Sequence, residues 1–323
     1  MTKAIRIHAT GGPEVMRWED VPTPDPGPGE ALVRHAAIGL NYIDVYFRTG
    51  LYKTALPATP GMEGAGTVIA VGAGVTTVKE GDRVAYAGGA LGAYAVTRVI
   101  AADRLVILPP AIDFTTAAAM MLQGMTAQYL IRRTYPVKPG ETVLVHAAAG
   151  GVGLILCQWI SSLGATVIGV VSTEAKAELA RAHGAAHVVV GHANLAAEVK
   201  KITGGAMVPV VYDSVGKDTF IPSLDSLAPL GMMVSYGNAS GPVPPFDVGL
   251  LNVKGSLYLT RPSLGAYTTK RSDLEHVAAD LFAAVQSGAV KIRVNQTFPL
   301  SEAAAAHTAL EARQTTGSTV LLP

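Results

Sequence analysis

The chain has a single cysteine, Cys157, so no disulfide can close within it and no cysteine cluster can hold a structural metal. A reducing, cytoplasmic compartment is the expectation that follows. Charge is scarce as well. Asp, Glu, Lys and Arg make up 15% of the 323 residues against 49% hydrophobic ones, which excludes a disordered chain and calls for a well-buried interior. The net charge is +1 and no Lys/Arg cluster stands out, so the usual electrostatic footprint of a nucleic-acid partner is missing. The N-terminus, MTKAIRIHATGG, lacks the apolar region of a signal peptide. The most apolar stretch, residues 143–160, is interrupted by His146, glycines and Gln158, and reads as a buried strand followed by a helix rather than a membrane span.

What is present is turn chemistry and two kinds of periodicity. Up to residue 123, short β patterns at 4–8, 31–38, 66–71, 83–87, 93–99 and 105–108 alternate with Pro- and Gly-rich turns. Within them, residues 43–49 read as a short helix that Asn41 or Asp44 could cap. A helix pattern at 114–133 follows. Strands at 142–146, 166–171, 187–190, 208–213 and 231–236 then alternate with helices at 150–163, 173–183, 195–202 and 219–227. That alternation indicates βαβ units and a doubly wound parallel sheet. A mixed tail comes next, with helices at 272–287 and 301–313 and strands at 295–299 and 318–322. It fits a return to the first unit. The expected organisation is α/β with two domains, 1–123 completed by 265–323, and 124–264.

The segment VLVHAAAGGVG (143–153) is a hydrophobic strand, a small-residue turn and a helix start. Ala149, Gly150, Gly151, Val152 and Gly153 let the backbone approach a pyrophosphate, and the helix N-terminus offers free N–H groups. Ala148 stands where the first glycine of G-x-G-x-x-G would be. The end of the second strand selects the dinucleotide: an NAD site places Asp or Glu there, about 20 residues after the glycines. Here that strand ends in Ser172 and Thr173, with Lys176 one turn on, and the nearest acid, Glu174, falls within the following turn. Hydroxyls and a lysine suit the 2′-phosphate of NADPH, although Lys176 alone would also pass for a solvated helix lysine. Tyr236 and Asn238 follow a strand end of the kind at which α/β sheets bind ligands, while Asn238 would equally serve as a turn former.

The motifs NYIDVYFRTGLY (41–52), PGMEGAG (60–66), GDRV (81–84), AAAGGVG (147–153), VYDSVG (211–216), SYGNASG (235–241) and GSLYLTRPSL (255–264) resemble, over the whole chain, one family. It is the quinone oxidoreductase (zeta-crystallin-like) branch of the medium-chain dehydrogenase/reductase superfamily. The resemblance implies a GroES-like β-rich catalytic domain plus a Rossmann domain that binds NADPH. It further implies hydride transfer to a quinone or similar electron-poor acceptor. The zinc-dependent members of the superfamily carry a cysteine near the first motif and a histidine before the glutamate of the second. Here the first motif has no cysteine and Met62 precedes Glu63, and a thioether is a poor zinc ligand, so catalysis without metal is expected.

The same resemblance places Asn41 at the nicotinamide end of the coenzyme, with Asp44 beside it, and turns Tyr46 and Tyr52 toward the substrate, either hydroxyl a possible proton donor. Helix capping would account for Asn41 or Asp44 equally well. Thr126, near Gln123, is expected to approach the nicotinamide, Ser214 to line the coenzyme site, and Arg261 and Arg313 to hold its phosphates. Glu63 reads as a buried carboxylate that shapes the site. Where bacterial members of the family often place a tyrosine against the 2′-phosphate, this chain has only Gly191 and His192. Cys157 reads as a buried, inert thiol. An edge strand at 255–259 pairing with its copy would make a homodimer, as in relatives. Two other functions stay open: an alkenal/enone double-bond reductase with the same site, and a non-catalytic dinucleotide-binding protein of the crystallin or RNA-binding kind.

Overall fold

The strands with continuous β-branched runs form where they are expected, and the computed structural model describes every residue, Met1–Pro323. Contacts divide the chain into two units. The first holds Met1–Met125, Tyr267–Gln286 and Ile292–Pro323, and the second Thr126–Ala266 and Ser287–Lys291.

The second unit is built on a six-stranded sheet whose strands are all parallel. Its spatial order is His187–Val190, Thr166–Val171, Thr142–His146, Val208–Asp213, Leu227–Ser235, Tyr258–Thr260. Counted along the chain this is the order 3-2-1-4-5-6, which reverses between Thr142–His146 and Val208–Asp213. Ligands of such sheets bind outside the carboxyl ends of the strands at that reversal. The strands are apolar along their length because helices cover them: Val143, Leu144, Val145, Val167, Ile168 and Val211 are fully buried. The helices Gly151–Ser162, Glu174–Ala182, Leu195–Ile202 and Phe220–Asp225 connect them. The last strand is shorter and later than expected, Tyr258–Thr260 instead of 255–259. Gly255 and Ser256 sit at φ of +109° and +55°, a left-handed turn that no strand can contain.

The first unit is a largely antiparallel sheet of seven strands. Val294–Pro299, Ser318–Leu322, Glu30–Leu40, Glu63–Val71, Arg83–Ala87 and Val106–Ile107 lie side by side, and Thr97–Ala101 also pairs with Glu30–Leu40. A separate antiparallel pair joins Thr2–Ile7 to Met16–Val21. Ile5, Ile7, Val33, Ile38, Val68, Tyr86, Tyr94 and Leu321 pack into one core. One strand goes unannounced and two expectations need correction. Met16–Val21 is a strand without a sequence signal, because MRWEDV buries only its methionine and carries no apolar face. The strand expected at 93–99 is confined to Thr97–Ala101. Ala93 and Tyr94 instead donate their N–H groups to the carbonyls of Gly61 and Pro60, partners more than 30 residues away that no local pattern announces. The long helix Phe114–Tyr129 does not run to 133 as an α-helix but widens into a π-helical turn, Leu130–Thr134. No helix is long and apolar enough to cross a membrane.

Candidate active site

The glycine turn sits at the sheet reversal. Strand Thr142–His146 ends, Ala147 takes a left-handed φ of +49°, and its carbonyl accepts from Gly150 N–H at 2.8 Å. For a residue with a Cβ that conformation costs of order 1–2 kcal/mol, strain of the kind that functional turns store. Gly150 is the N-cap of Gly151–Ser162, and no side chain caps the helix, so the first N–H groups face outward unclaimed by any side chain. A Cβ on Gly153 would drive into the Ala147 carbonyl and stand 2.8 Å from Ala148 Cα, so only glycine lets helix and strand close up. Ala148, in the first glycine's place, is fully buried; its room comes from the next strand, where a Cβ on Gly169 would lie 2.9 Å from the Ala148 methyl. The pair explains how a turn with alanine keeps the geometry of one with glycine. Cys157 is buried on this helix, and burial pushes its thiol up to about 12.

At the tip of the second strand Ser172 and Glu174 are exposed and Lys176 is half-buried. Thr173 is the N-cap of Glu174–Ala182, its hydroxyl accepting from Lys176 N–H at 3.3 Å, so this oxygen serves the helix start. His192, exposed, follows Gly191. Arg313 belongs to the first unit and is exposed at φ of +58°.

Across the reversal, Asp213 ends its strand fully buried and organises the loop after it. Its Oδ1 accepts from Val215 and Gly216 N–H at 2.7 and 3.1 Å, and its Oδ2 from the Thr219 and Ser223 hydroxyls at 2.7 and 2.8 Å. The Ser223 hydroxyl in turn lies 2.9 Å from His146 Nε2, whose pKa burial lowers. Sequence reading misses His146, Asp213 and Ser223, although the acid closing VVYD is a visible signal for a buried turn-builder. Ser214, half-buried, is what this network holds in place. Its carbonyl takes Ala239 N–H at 3.2 Å, and Gly237 packs against it so closely that no side chain would fit. Arg261 is committed here: Nη1 donates to the carbonyls of Ser235 and Gly237 at 3.0 and 2.9 Å. Asn238, its amide oriented by these neighbours, accepts from Arg261 Nη2 at 3.0 Å and donates to the Gly237 carbonyl. Arg261 therefore braces the strand end. The Tyr236 hydroxyl is buried too, its pKa pushed up by burial, and does not face outward.

In the first unit Asn41 is held by a chain of hydrogen bonds. Its Nδ2 donates to Glu63 Oε2 at 2.6 Å and its Oδ1 accepts from Gln123 Nε2 at 3.2 Å. Glu63 Oε1 takes Leu122 N–H at 2.8 Å, and Gln123 Oε1 lies 2.7 Å from the Ser318 hydroxyl. Glu63 is fully buried, and burial pushes its pKa up to about 8 against the pull of Asn41. The capping box also gives Asn41 Oδ1 the Asp44 N–H, so of the four hydrogen bonds an amide can make the second one from Nδ2 is left for a ligand. Asp44 is a correction. It is 0% exposed, and its Oδ2 accepts from Asn41 N–H at 2.9 Å and the Tyr94 hydroxyl at 3.1 Å, a capping box for Tyr42–Thr49 that leaves no surface for a coenzyme. Burial raises its pKa to about 7. Thr126, in the second unit, is also nearly buried, 7% exposed. Tyr42, Tyr46 and Tyr52 form an aromatic wall: ring centroids are 6.3 Å apart for the first two and 5.3 Å, edge-on, for Tyr46 and Tyr52. Tyr46 is buried and Tyr52 half-buried, so Tyr52 is the more accessible side chain.

Comparison with known proteins places this geometry. A family model described as an alcohol dehydrogenase GroES-like domain matches residues 27–135, and one described as a zinc-binding dehydrogenase matches residues 151–283. The chain is 55% identical to a quinone oxidoreductase of Pseudomonas aeruginosa over 100% of both chains. It is 47% identical to a 2-haloacrylate reductase of Burkholderia over 100% of this chain and 99% of the other. The solved Escherichia coli quinone oxidoreductase, in complex with NADPH, superposes with a TM-score of 0.97 at 49% identity, covering 99% and 100% of the two chains. The donor set does not fit the zinc that the second family description names. Met62 offers only a thioether beside Glu63, Cys157 is buried on its helix, and no three His, Cys, Asp or Glu side chains gather as a metal would need.

Proposed function

This chain belongs to the quinone oxidoreductase branch of the medium-chain dehydrogenase/reductase superfamily, and from that premise we propose that it reduces quinones or similar electron-poor acceptors with NADPH, without a metal ion. The observation that carries the reading is the second strand's tip. Exposed Ser172 and half-buried Lys176 stand there with no acid at the strand end, beside a glycine turn whose helix no side chain caps. Bound NADPH supplies the hydride. Residues 149–153 and Ser214 hold its pyrophosphate and nicotinamide portions by backbone approach, Ser172 and Lys176 take the 2′-phosphate, with Arg313 a further candidate, and Asn41 offers its remaining Nδ2 hydrogen to the nicotinamide end. Tyr46 walls the acceptor, and Tyr52 hydrogen-bonds its carbonyl oxygen and supplies the proton that accompanies hydride. A quinone or an activated alkene already accepts hydride readily, so such hydrogen bonds suffice where an alcohol dehydrogenase needs a Lewis acid.

Lys176→Ala tests the coenzyme choice. Losing a charge-assisted contact to phosphate raises the Kd for NADPH about tenfold or more and leaves that for NADH nearly unchanged. Equal losses, measured by fluorescence titration of both coenzymes, refute the phosphate role. The 2-haloacrylate reductase among the relatives favours a second reading, reduction of an activated carbon–carbon double bond. Steady-state turnover of 1,4-benzoquinone and of 2-chloroacrylate by the purified protein separates the two. The proposal expects the quinone to have the higher kcat/KM, and turnover of the acrylate alone overturns it.

A further inference from the structure

We propose that the first unit carries a second, anion-binding site: a cavity of about 260 Å³ where Arg6, Arg98 and threonines stand among apolar side chains, taking a small oxyanion such as phosphate or a carboxylate.

Arg98 is the buried element. It lies on Thr97–Ala101, is 8% exposed, and forms no ion pair with any carboxylate. Its Nη2 donates to the carbonyls of Ala90 and Leu91 at 3.1 and 3.2 Å, its guanidinium carbon lies 4.9 Å from the Tyr86 ring centroid, and its Nη1 is buried with no partner. Carbonyls and an aromatic face offset part of the cost of burying that charge, but a cation this deep is normally matched by an anion. No carboxylate within ion-pair distance supplies one. The Tyr86 hydroxyl bonds His35 Nε2 at 2.8 Å, and burial, helped by Arg98, holds His35 neutral down to about 4.

The rim repeats the pattern. Arg6 donates to the Thr59 hydroxyl at 3.3 Å and the Pro57 carbonyl at 3.2 Å and likewise has no carboxylate partner. Its cross-strand neighbour is Arg17, so two cations face each other on one ladder, an arrangement that is unfavourable unless an anion or water lies between them. Glu19, the acid paired with Ala4 on the same face, is taken by His8 at 2.9 Å and does not line the cavity. Thr23 adds a buried hydroxyl without a partner. Two guanidinium groups, hydroxyls and no acid describe a site for a negatively charged, hydrogen-bond-accepting ligand. The volume admits a phosphate or a short carboxylate and is small for a dinucleotide.

Isothermal titration of inorganic phosphate into the full chain tests the assignment. NADPH is present at saturation so that the coenzyme's own phosphate positions are filled, the titration is repeated without coenzyme, and ionic strength is matched with chloride. Saturable one-to-one binding is expected, weakened about tenfold or more in Arg98→Gln and in Arg6→Gln, and less in Thr23→Val. Arg98 also ties down two carbonyls, so Arg6→Gln and Thr23→Val, with melting curves to show that they fold, decide the matter if Arg98→Gln does not. Malonate in place of phosphate identifies which oxyanion is preferred, and saturable binding of either supports the site. No saturable heat from both, or affinity unchanged in Arg6→Gln and Thr23→Val, overturns it.

Discussion

Gly153→Val weakens coenzyme binding about 100-fold or more and costs stability as well. The first atom of any side chain at this position would press into the Ala147 carbonyl and reach 2.8 Å from Ala148 Cα, and both are backbone. Neither can yield without moving strand Thr142–His146, which is buried along most of its length, so the helix Gly151–Ser162 must move instead. In the proposed site that displaces the N–H groups and the helix dipole offered to the pyrophosphate, in a turn with no charged side chain of its own. A loss of about 100-fold or more in NADPH affinity is expected, some 2.7 kcal/mol, together with about 1–3 kcal/mol of unfolding free energy from overpacking. Gly150→Ala provides the graded control. Its Cβ meets only the Ala147 carbonyl, at 3.2 Å, a contact that a few tenths of an ångström relieve, so a smaller loss is expected. Fluorescence titration of NADPH with urea denaturation of each variant measures both effects, and wild-type affinity in Gly153→Val would show that the coenzyme does not sit on this turn.

How much of this is legible in the sequence follows from the range of the interactions. Thr142–His146, Thr166–Val171, His187–Val190 and Val208–Asp213 lie where expected, because a parallel strand covered on both faces is a run of apolar β-branched residues bounded by turns. The glycine turn is legible for the same reason: strand, turn and helix start are contiguous. The missing acid at Ser172 is equally local. Asn41 stands out in the sequence, but what holds it does not. Glu63, Gln123 and Ser318 stand 22, 82 and 277 residues further along, and they meet only because Glu30–Leu40 pairs with Glu63–Val71 on one side and Ser318–Leu322 on the other. Asp44 misleads because an acid three residues after an N-cap looks the same whether it faces a ligand or, as here, closes a capping box against Tyr94. What braces Arg261 is not legible either, because the carbonyls that bond it belong to a strand end 24 and 26 residues earlier.

Glu63→Gln lowers kcat above about pH 8, where the carboxyl is ionised, and removes a slope from the pH dependence of stability. Asn41 Nδ2 and Leu122 N–H both donate to the carboxylate, at 2.6 and 2.8 Å. A glutamine has one oxygen for these two donors, so its amide faces an N–H with an N–H, and Asn41 turns over or shifts. On the proposed reading, an amide reversed at the nicotinamide end presents an acceptor where a donor belongs, and leaving a buried polar group unsatisfied costs about 1–3 kcal/mol, roughly 5- to 150-fold in kcat if the contact is made in the transition state. Asn41→Asp in the same chain is the rescue, because aspartate accepts from the introduced glutamine amide where asparagine donated to glutamate. Recovery of part of the activity in the double variant would not follow from a purely structural defect. The stability effect has a definite sign. Folded Glu63 keeps its proton up to about pH 8, whereas the unfolded chain releases it near 4.5. Across that window the folded state binds the extra proton, so stability is fully present below 4.5 and falls as pH rises toward 8. Asp44 adds a second fall of the same sign between 3.8 and about 7. Glutamine has no proton to hold, so urea midpoints at pH 5, 6, 7 and 8 should decline less steeply in Glu63→Gln than in the wild type, with the Asp44 contribution left. Parallel declines in the two proteins would mean that Glu63 is ionised throughout, its donors outweighing burial, and the rescue by Asn41→Asp would then stand as the only test of its positioning role.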